Sequence, residues 1–154
     1  MNRTLAIIAA LAAIGSQGRA QTLVLNGHIK GSGPKDRSVS VVNLYSFEGD
    51  LHESVLQRHT SVRGDSHFRF ELTLNNGYII EVISSNGSHK RVVVNTELMP
   101  HQKLDRSTCE VSIDIADDDK WGRDPEDVAW INYNPTTSCF GLSDTFWSTA
   151  ALTD

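Results

Sequence analysis

The chain has 154 residues, with 14 Lys and Arg against 19 Asp and Glu, for a formal charge of −5. An acidic balance of this kind argues against nucleic acid, whose phosphate backbone is gripped by basic surface. Beyond the N-terminal region, no apolar run approaches the roughly 20 residues that a membrane-crossing helix needs.

The first element reads as an export signal. Arg3 supplies a positive start, and Leu5 to Ile14 is an unbroken run of Leu, Ala and Ile. Gly18-Arg19-Ala20 then places small residues three before and one before a cut ahead of Gln21. Removing residues 1–20 leaves 154 − 20 = 134 residues and, with Arg3 and Arg19 gone, a charge of 12 − 19 = −7. The expected destination is secreted or periplasmic, and the remaining length suits one domain.

Seven strands follow in the alternation of apolar and polar residues. Leu23 to Lys30 is the first, before a turn at Gly31-Ser32-Gly33-Pro34. Ser38 to Phe47 is the second, and Ser54 to Val62 the third, where Gln57 and Arg58 dilute the pattern. His67 to Leu74 alternates most regularly, with Phe68, Phe70, Leu72 and Leu74 on one side. Asn75-Asn76-Gly77 turns the chain into Tyr78 to Ser84, and Asn86-Gly87 turns it again into His89 to Thr96. Cys109 to Ile115 closes the set. Short strands with turn signals between them and no amphipathic helix predict a seven-stranded antiparallel β-sandwich over residues 21–116.

Residues 117–154 differ in composition. They hold 2 basic and 8 acidic residues, yet also six of the eleven aromatic residues: Trp121, Trp130, Tyr133, Phe140, Phe146 and Trp147. A disordered acidic tail should be poor in aromatic residues, so this extension is expected to pack on the sandwich. Val128 to Tyr133 is a further candidate strand, with a turn at Asn134-Pro135 and a return from Phe140 to Trp147. The alternative is that Trp130, Tyr133 and Trp147 project as a patch for a partner protein or a glycan.

One part of the pattern is similar to a known family. The Gly27-containing first strand, the Val-rich second, "FRFELTL" and "NNGYIIEVISSNGSHKRVVVNT" together resemble the carboxypeptidase regulatory-like modules. These are transthyretin-like β-sandwiches of secreted bacterial envelope proteins. The likeness covers about Leu23 to Ile115. Ser66 stands where such modules usually carry Gly, and Ser88 where they carry an aromatic residue. The resemblance implies a non-catalytic scaffold or docking role, with an envelope protein or a glycan as partner. Transthyretin-like hydrolases of oxidised purines end in Tyr-Arg-Gly-Ser, whereas this chain ends Ala-Leu-Thr-Asp, so that activity is the less favoured alternative.

Residue chemistry points the same way. The six histidines, His28, His52, His59, His67, His89 and His101, form no metal-binding spacing. No catalytic residue and no cofactor is therefore expected. Asp117, Asp119 and Gly122 match three positions of a calcium loop, but Trp121 and Val128 stand where two oxygen ligands are required. A looser calcium site from Asp117, Asp118, Asp119 and Asp124 is the alternative to a solvated acidic linker. Arg63-Gly64-Asp65 reads as a hairpin turn rather than an adhesion signal, and Asn86-Gly87-Ser88 as a tight turn rather than a glycosylation acceptor. Cys109 and Cys139 form an even pair, which in an oxidising compartment predicts one disulfide. Otherwise Cys109, on the face of Val111, Ile113 and Ile115, is a small buried hydrophobe.

Overall fold

The computed structural model describes residues 21–31, 37–115 and 126–143, with the backbone alone at 126–128. The proposed signal, the Ser32–Pro34 turn residues, Asp117, Asp118, Asp119, Asp124, Trp121, Phe146 and Trp147 lie outside the described residues. The described residues fold into nine strands and no α-helix. They are β1 (Thr22–Lys30), β2 (Val39–Phe47), β3 (Val55–Arg63), β4 (Ser66–Thr73) and β5 (Gly77–Ser84). β6 (His89–Asn95), β7 (Thr108–Asp114), β8 (Glu126–Asn134) and β9 (Cys139–Ser143) complete the set.

Alternation locates the strands because successive side chains point to opposite faces. In β4, Phe68, Phe70 and Leu72 are buried while the residues between them are exposed or half-buried. β1 buries Leu23, Leu25 and Ile29 in the same way, and β7 buries Cys109, Val111 and Ile113. These meet Val42, Leu44, Tyr78, Ile80, Val82, Val92, Val94, Ile131 and Phe140 of the facing sheet in one core.

The strands form a three-stranded sheet, β4-β1-β7, and a six-stranded sheet, β3-β2-β5-β6-β8-β9. Both are mixed, which corrects the antiparallel expectation. β1 runs parallel to β7, and β6 parallel to β8. The chain leaves β6, crosses to the other sheet as β7, and returns as β8 beside the strand it left. A return by way of the opposite sheet delivers a parallel neighbour without a helical crossover. The count is also corrected, from seven to nine. Part of the predicted extension, residues 126–143, continues the six-stranded sheet through β8 and β9.

Glycine makes one inward position workable. Gly27 sits opposite Phe68 in the β1–β4 register, at the inward place between Leu25 and Ile29. A Cβ there would fall within the Phe68 ring. The predicted turns at Gly64, Asn75 and Gly87 are present, with φ of +56°, +63° and +94°. At Asn86 the side-chain oxygen accepts from Ser88 N–H and the amide nitrogen donates to the Ile115 carbonyl at 2.7 Å.

The disulfide expectation is corrected as well, because Cys109 and Cys139 are both free thiols. Cys139 bridges to Arg106, three residues before Cys109. That offset is about 10 Å along an extended strand. A disulfide tolerates a Cα separation of at most roughly 7 Å. Burial pushes the Cys109 thiol above its ordinary pKa, the more so for the nearby Glu110 charge, although a backbone contact to Glu110 opposes this.

Two outcomes follow from this packing. Gly27→Ala should lower stability by about 1–3 kcal/mol through overpacking against Phe68, read as a reduced denaturation midpoint with an unchanged slope. Mature protein unfolded in iodoacetamide without reductant should gain two adducts by mass spectrometry, and in the native state Cys139 should react before buried Cys109.

Candidate functional site

The six-stranded sheet has a second face, turned away from the core, and its strand register gathers the polar and aromatic residues there. Phe47 lies opposite Gly77, which lies opposite Asn95. The next row on this face is Tyr45, Ile79, Val93 and Trp130. The row beyond that is Asn43, Glu81 and Arg91, with His59 of β3 opposite Asn43. This face is more than a solvated backing. Ile79 is 5% exposed and Val93 1%, although neither belongs to the core cluster.

At one end of the face lies a groove of about 1060 Å³. Phe47, Val93 and Trp130 supply its apolar lining, and the Leu98–Pro100 segment forms part of its wall. The tip of the Phe47 ring rests on Gly77, at a place that any Cβ would fill. Asn75, Asn76, Asn95 and Asn132 line the same groove, together with the acidic residues Glu48, Asp50 and Glu97.

The amide orientations follow from loop chemistry. Asn75 Oδ1 accepts from Leu98 N–H at 2.9 Å, and Asn95 Oδ1 accepts from Glu97 N–H at 3.0 Å. An N–H can be met only by the oxygen of a carboxamide, so each Nδ2 is left as the free end. Asn132 Nδ2 is closed to water and meets no acceptor. Buried Thr96 fixes the loop beneath: its hydroxyl accepts from Asn76 N–H at 3.0 Å and lies 2.8 Å from the Asn76 carbonyl.

At the other end of the face Glu81 gathers a polar network. One carboxylate oxygen accepts from Asn43 Nδ2 at 3.0 Å and from the Tyr45 hydroxyl at 3.1 Å. The other lies 2.8 Å from His89 Nε2. His59 Nδ1 lies 2.9 Å from Asn43 Oδ1, extending the chain of contacts to the outermost strand. Burial pushes the Glu81 carboxyl upward, but the bonds from Asn43, His89 and Tyr45 outweigh it, and the pKa falls below the ordinary value of 4.5. Tyr45 moves the opposite way, raised by burial and then by the Glu81 charge. A carboxylate–imidazole pair can orient and exchange a proton.

A smaller cluster sits on the three-stranded sheet. His28 and His67, opposite one another in the register, stack with ring centroids 4.3 Å apart and planes 7° from parallel. Asp65 of the Arg63-Gly64-Asp65 turn bonds His28 Nε2. Among the described residues, no group of three or more His, Cys, Asp or Glu is placed to hold a metal ion.

The aromatic patch drawn from the sequence is divided. Trp130 lines the groove. Tyr133, three residues along β8, points to the other face, where it packs edge-on against Phe140 at 5.7 Å and donates to the Lys103 carbonyl at 2.7 Å. The two therefore do not share a surface, and Trp147 lies outside the described residues. Sequence reasoning missed the Glu81 network, because Asn43, Tyr45, His59, Glu81 and His89 are assembled by register across four strands. One signal was present: Glu81 is the sole charged residue in the apolar strand Gly77–Ser84. No family model matches the chain, and no curated protein matches it.

The Glu81 network generates a pH prediction with a definite sign. A carboxyl whose native pKa is lowered contributes stability at neutral pH, and loses it as pH falls below about 4.5 through its native value. Glu81→Gln should therefore cost about 1–3 kcal/mol at pH 7, for bonds to a charged acceptor. Urea midpoints for the two proteins should converge as the pH is lowered towards 3, and a gap that stays constant with pH would contradict the assignment.

Proposed function

We propose that this chain is an exported, non-catalytic β-sandwich module that binds a ligand at the cell envelope, in the groove between Phe47 and Trp130. The carrying observation is the groove itself. It has the volume of a ligand site, aromatic residues in its lining, and carboxamides whose orientation is set by loop hydrogen bonds. The signal-like residues 1–20 support export. The likeness of Phe68 to Thr96 to carboxypeptidase regulatory-like modules supports a binding or scaffolding role. No reacting group is needed for such a role, and the rigid strands under the groove suit it.

A second reading has one observation in its favour. The Glu81–His89 contact at 2.8 Å, with Tyr45 on the same carboxylate, has the composition of a proton-transfer pair. Its hydrogen-bond partners include no Ser or Cys nucleophile, and the pair lies outside the groove lining. Binding is therefore the preferred reading.

The test is retention on isolated envelopes. Purified mature chain should cosediment with the native envelope fraction, and Trp130→Ala should lower its apparent affinity at least tenfold. Glu81→Gln, outside the groove, should leave retention unchanged. Equal retention of the wild-type and Trp130→Ala proteins would reject the groove as the binding site.

A further inference from the structure

We infer that the groove takes a neutral glycan, recognised by carboxamide donors that are already committed to one direction. The inference rests on the groove being the ligand site. Three features of the lining choose this class together, and none does so alone.

The first is direction. Asn75 and Asn95 spend their side-chain oxygens on Leu98 and Glu97 N–H groups. What each offers a ligand is an N–H pair, a donor without the usual option of flipping to an acceptor. Asn132 lines the groove too, but its amide nitrogen is closed to water, so the donors a ligand meets are those of Asn75 and Asn95. A ligand that satisfies such a set must be rich in oxygen acceptors.

The second is charge. Oxygen acceptors are most abundant on anions, yet the acidic balance of the groove opposes them. Glu48, Asp50 and Glu97 line it together with His52, and no Lys or Arg does so among the described residues. A carboxylated or phosphorylated ligand would bring like charge against these groups. A hydroxyl meets both requirements at once, because its oxygen accepts from an amide and its proton is donated to a carboxylate. A polyamine or a basic peptide would satisfy the carboxylates but leave the amide donors unanswered.

The third is shape. Phe47 and Trp130 present apolar ring surface in the same groove. Sugar rings carry C–H faces that lie against such surface while their equatorial hydroxyls reach sideways to polar groups. A neutral oligosaccharide is thus the ligand class that uses the rings, the amides and the carboxylates together.

The discriminating variant is the double exchange of Asn75→Asp with Asn95→Asp. Aspartate keeps the oxygen that bonds Leu98 or Glu97 N–H, and it tolerates the positive φ at position 75. Only the outward donors are lost, each replaced by a negative acceptor. Isothermal titration of the full mature chain would use hexamers of β-linked glucose, N-acetylglucosamine and mannose, with hexagalacturonate and spermine as charged probes. At least one neutral hexamer should bind, hexagalacturonate should not, and the double exchange should weaken the neutral ligand at least tenfold with an unchanged melting temperature. Binding by none of the neutral hexamers, tighter binding of either charged probe, or indifference to the double exchange would overturn the inference. Envelope retention that depends on Trp130 without any neutral-hexamer binding would sink the glycan and spare the groove. Neutral-hexamer binding indifferent to Trp130→Ala would instead sink the groove.

Discussion

A three-stranded sheet cannot cover a six-stranded one, and much of this molecule follows from that mismatch. At about 4.8 Å between neighbours, six strands span roughly 24 Å between their outer axes and three strands roughly 10 Å. The centre of the larger sheet is sealed, as Val82, Val92, Val94 and Ile131 at 0% exposure attest. The margins are not. Val55 and Leu56 on β3 are 61% and 51% exposed, and Leu142 on β9 is 63%. Loop residues make up part of the deficit, with Leu98 and Leu104 packed against the core from the connection between β6 and β7. That connection also walls the groove, so one loop serves both the interior and the candidate site.

The same mismatch explains which parts of the fold are legible in a bare sequence. β4 packs one whole face on the core, so it must keep every second residue apolar, and its Phe68-Phe70-Leu72 pattern states this plainly. β3 is mostly exposed, with Val62 near its end packed against the core, so its first half is not held to a strict composition, and Gln57 and Arg58 dilute its alternation. β8 and β9 are short of pattern for a similar reason. Ile131 and Phe140 are fully committed to the core, while Asn132 lines the groove, Gly141 has open space where a side chain would stand, and Leu142 is largely exposed. Strand direction is not written locally at all. Alternation tells which residues face inward, not which neighbour lies alongside, so the parallel β1–β7 and β6–β8 pairs could not be read from it. The cysteine pair failed for the same reason: even number and oxidising context favour a bridge, but a register that sets Cys139 beside Arg106 does not.

The outward face shows the reverse situation, where sequence pattern is correct and uninformative. Asn43, Tyr45, Glu81 and Arg91 alternate as solvent-facing residues should, and read singly each is ordinary. Register converts them into a set. A carboxylate in the middle of an apolar strand is costly unless bonded, and Glu81 recovers that cost through donors from Asn43, Tyr45 and His89. Gly77 makes the same point sterically. Its lack of a side chain looks like the end of a turn, yet its place opposite Phe47 lets the ring lie across the strand. Glycine and carboxylate are both departures from good strand composition, and both mark where the face has been shaped.

Asparagine does two tasks in the groove, and the tasks cannot be separated. Asn75 holds a left-handed turn and closes Leu98 onto it, while Asn95 closes Glu97 at the end of β6. These are loop-building bonds, of the kind a sequence reader assigns to structure and sets aside. But a carboxamide is two-ended, and committing its oxygen to a backbone N–H leaves its nitrogen as the end that can donate elsewhere. The loop bonds therefore set which end of each amide is left over in the lining of the groove. Serine in either place would lose that coupling, because a hydroxyl turns to suit either partner. Aspartate would keep the turn and put a negative acceptor where the amide donor stands. The chemical character of the site thus resides in the choice of amide over acid at two turn positions whose backbone accepts both.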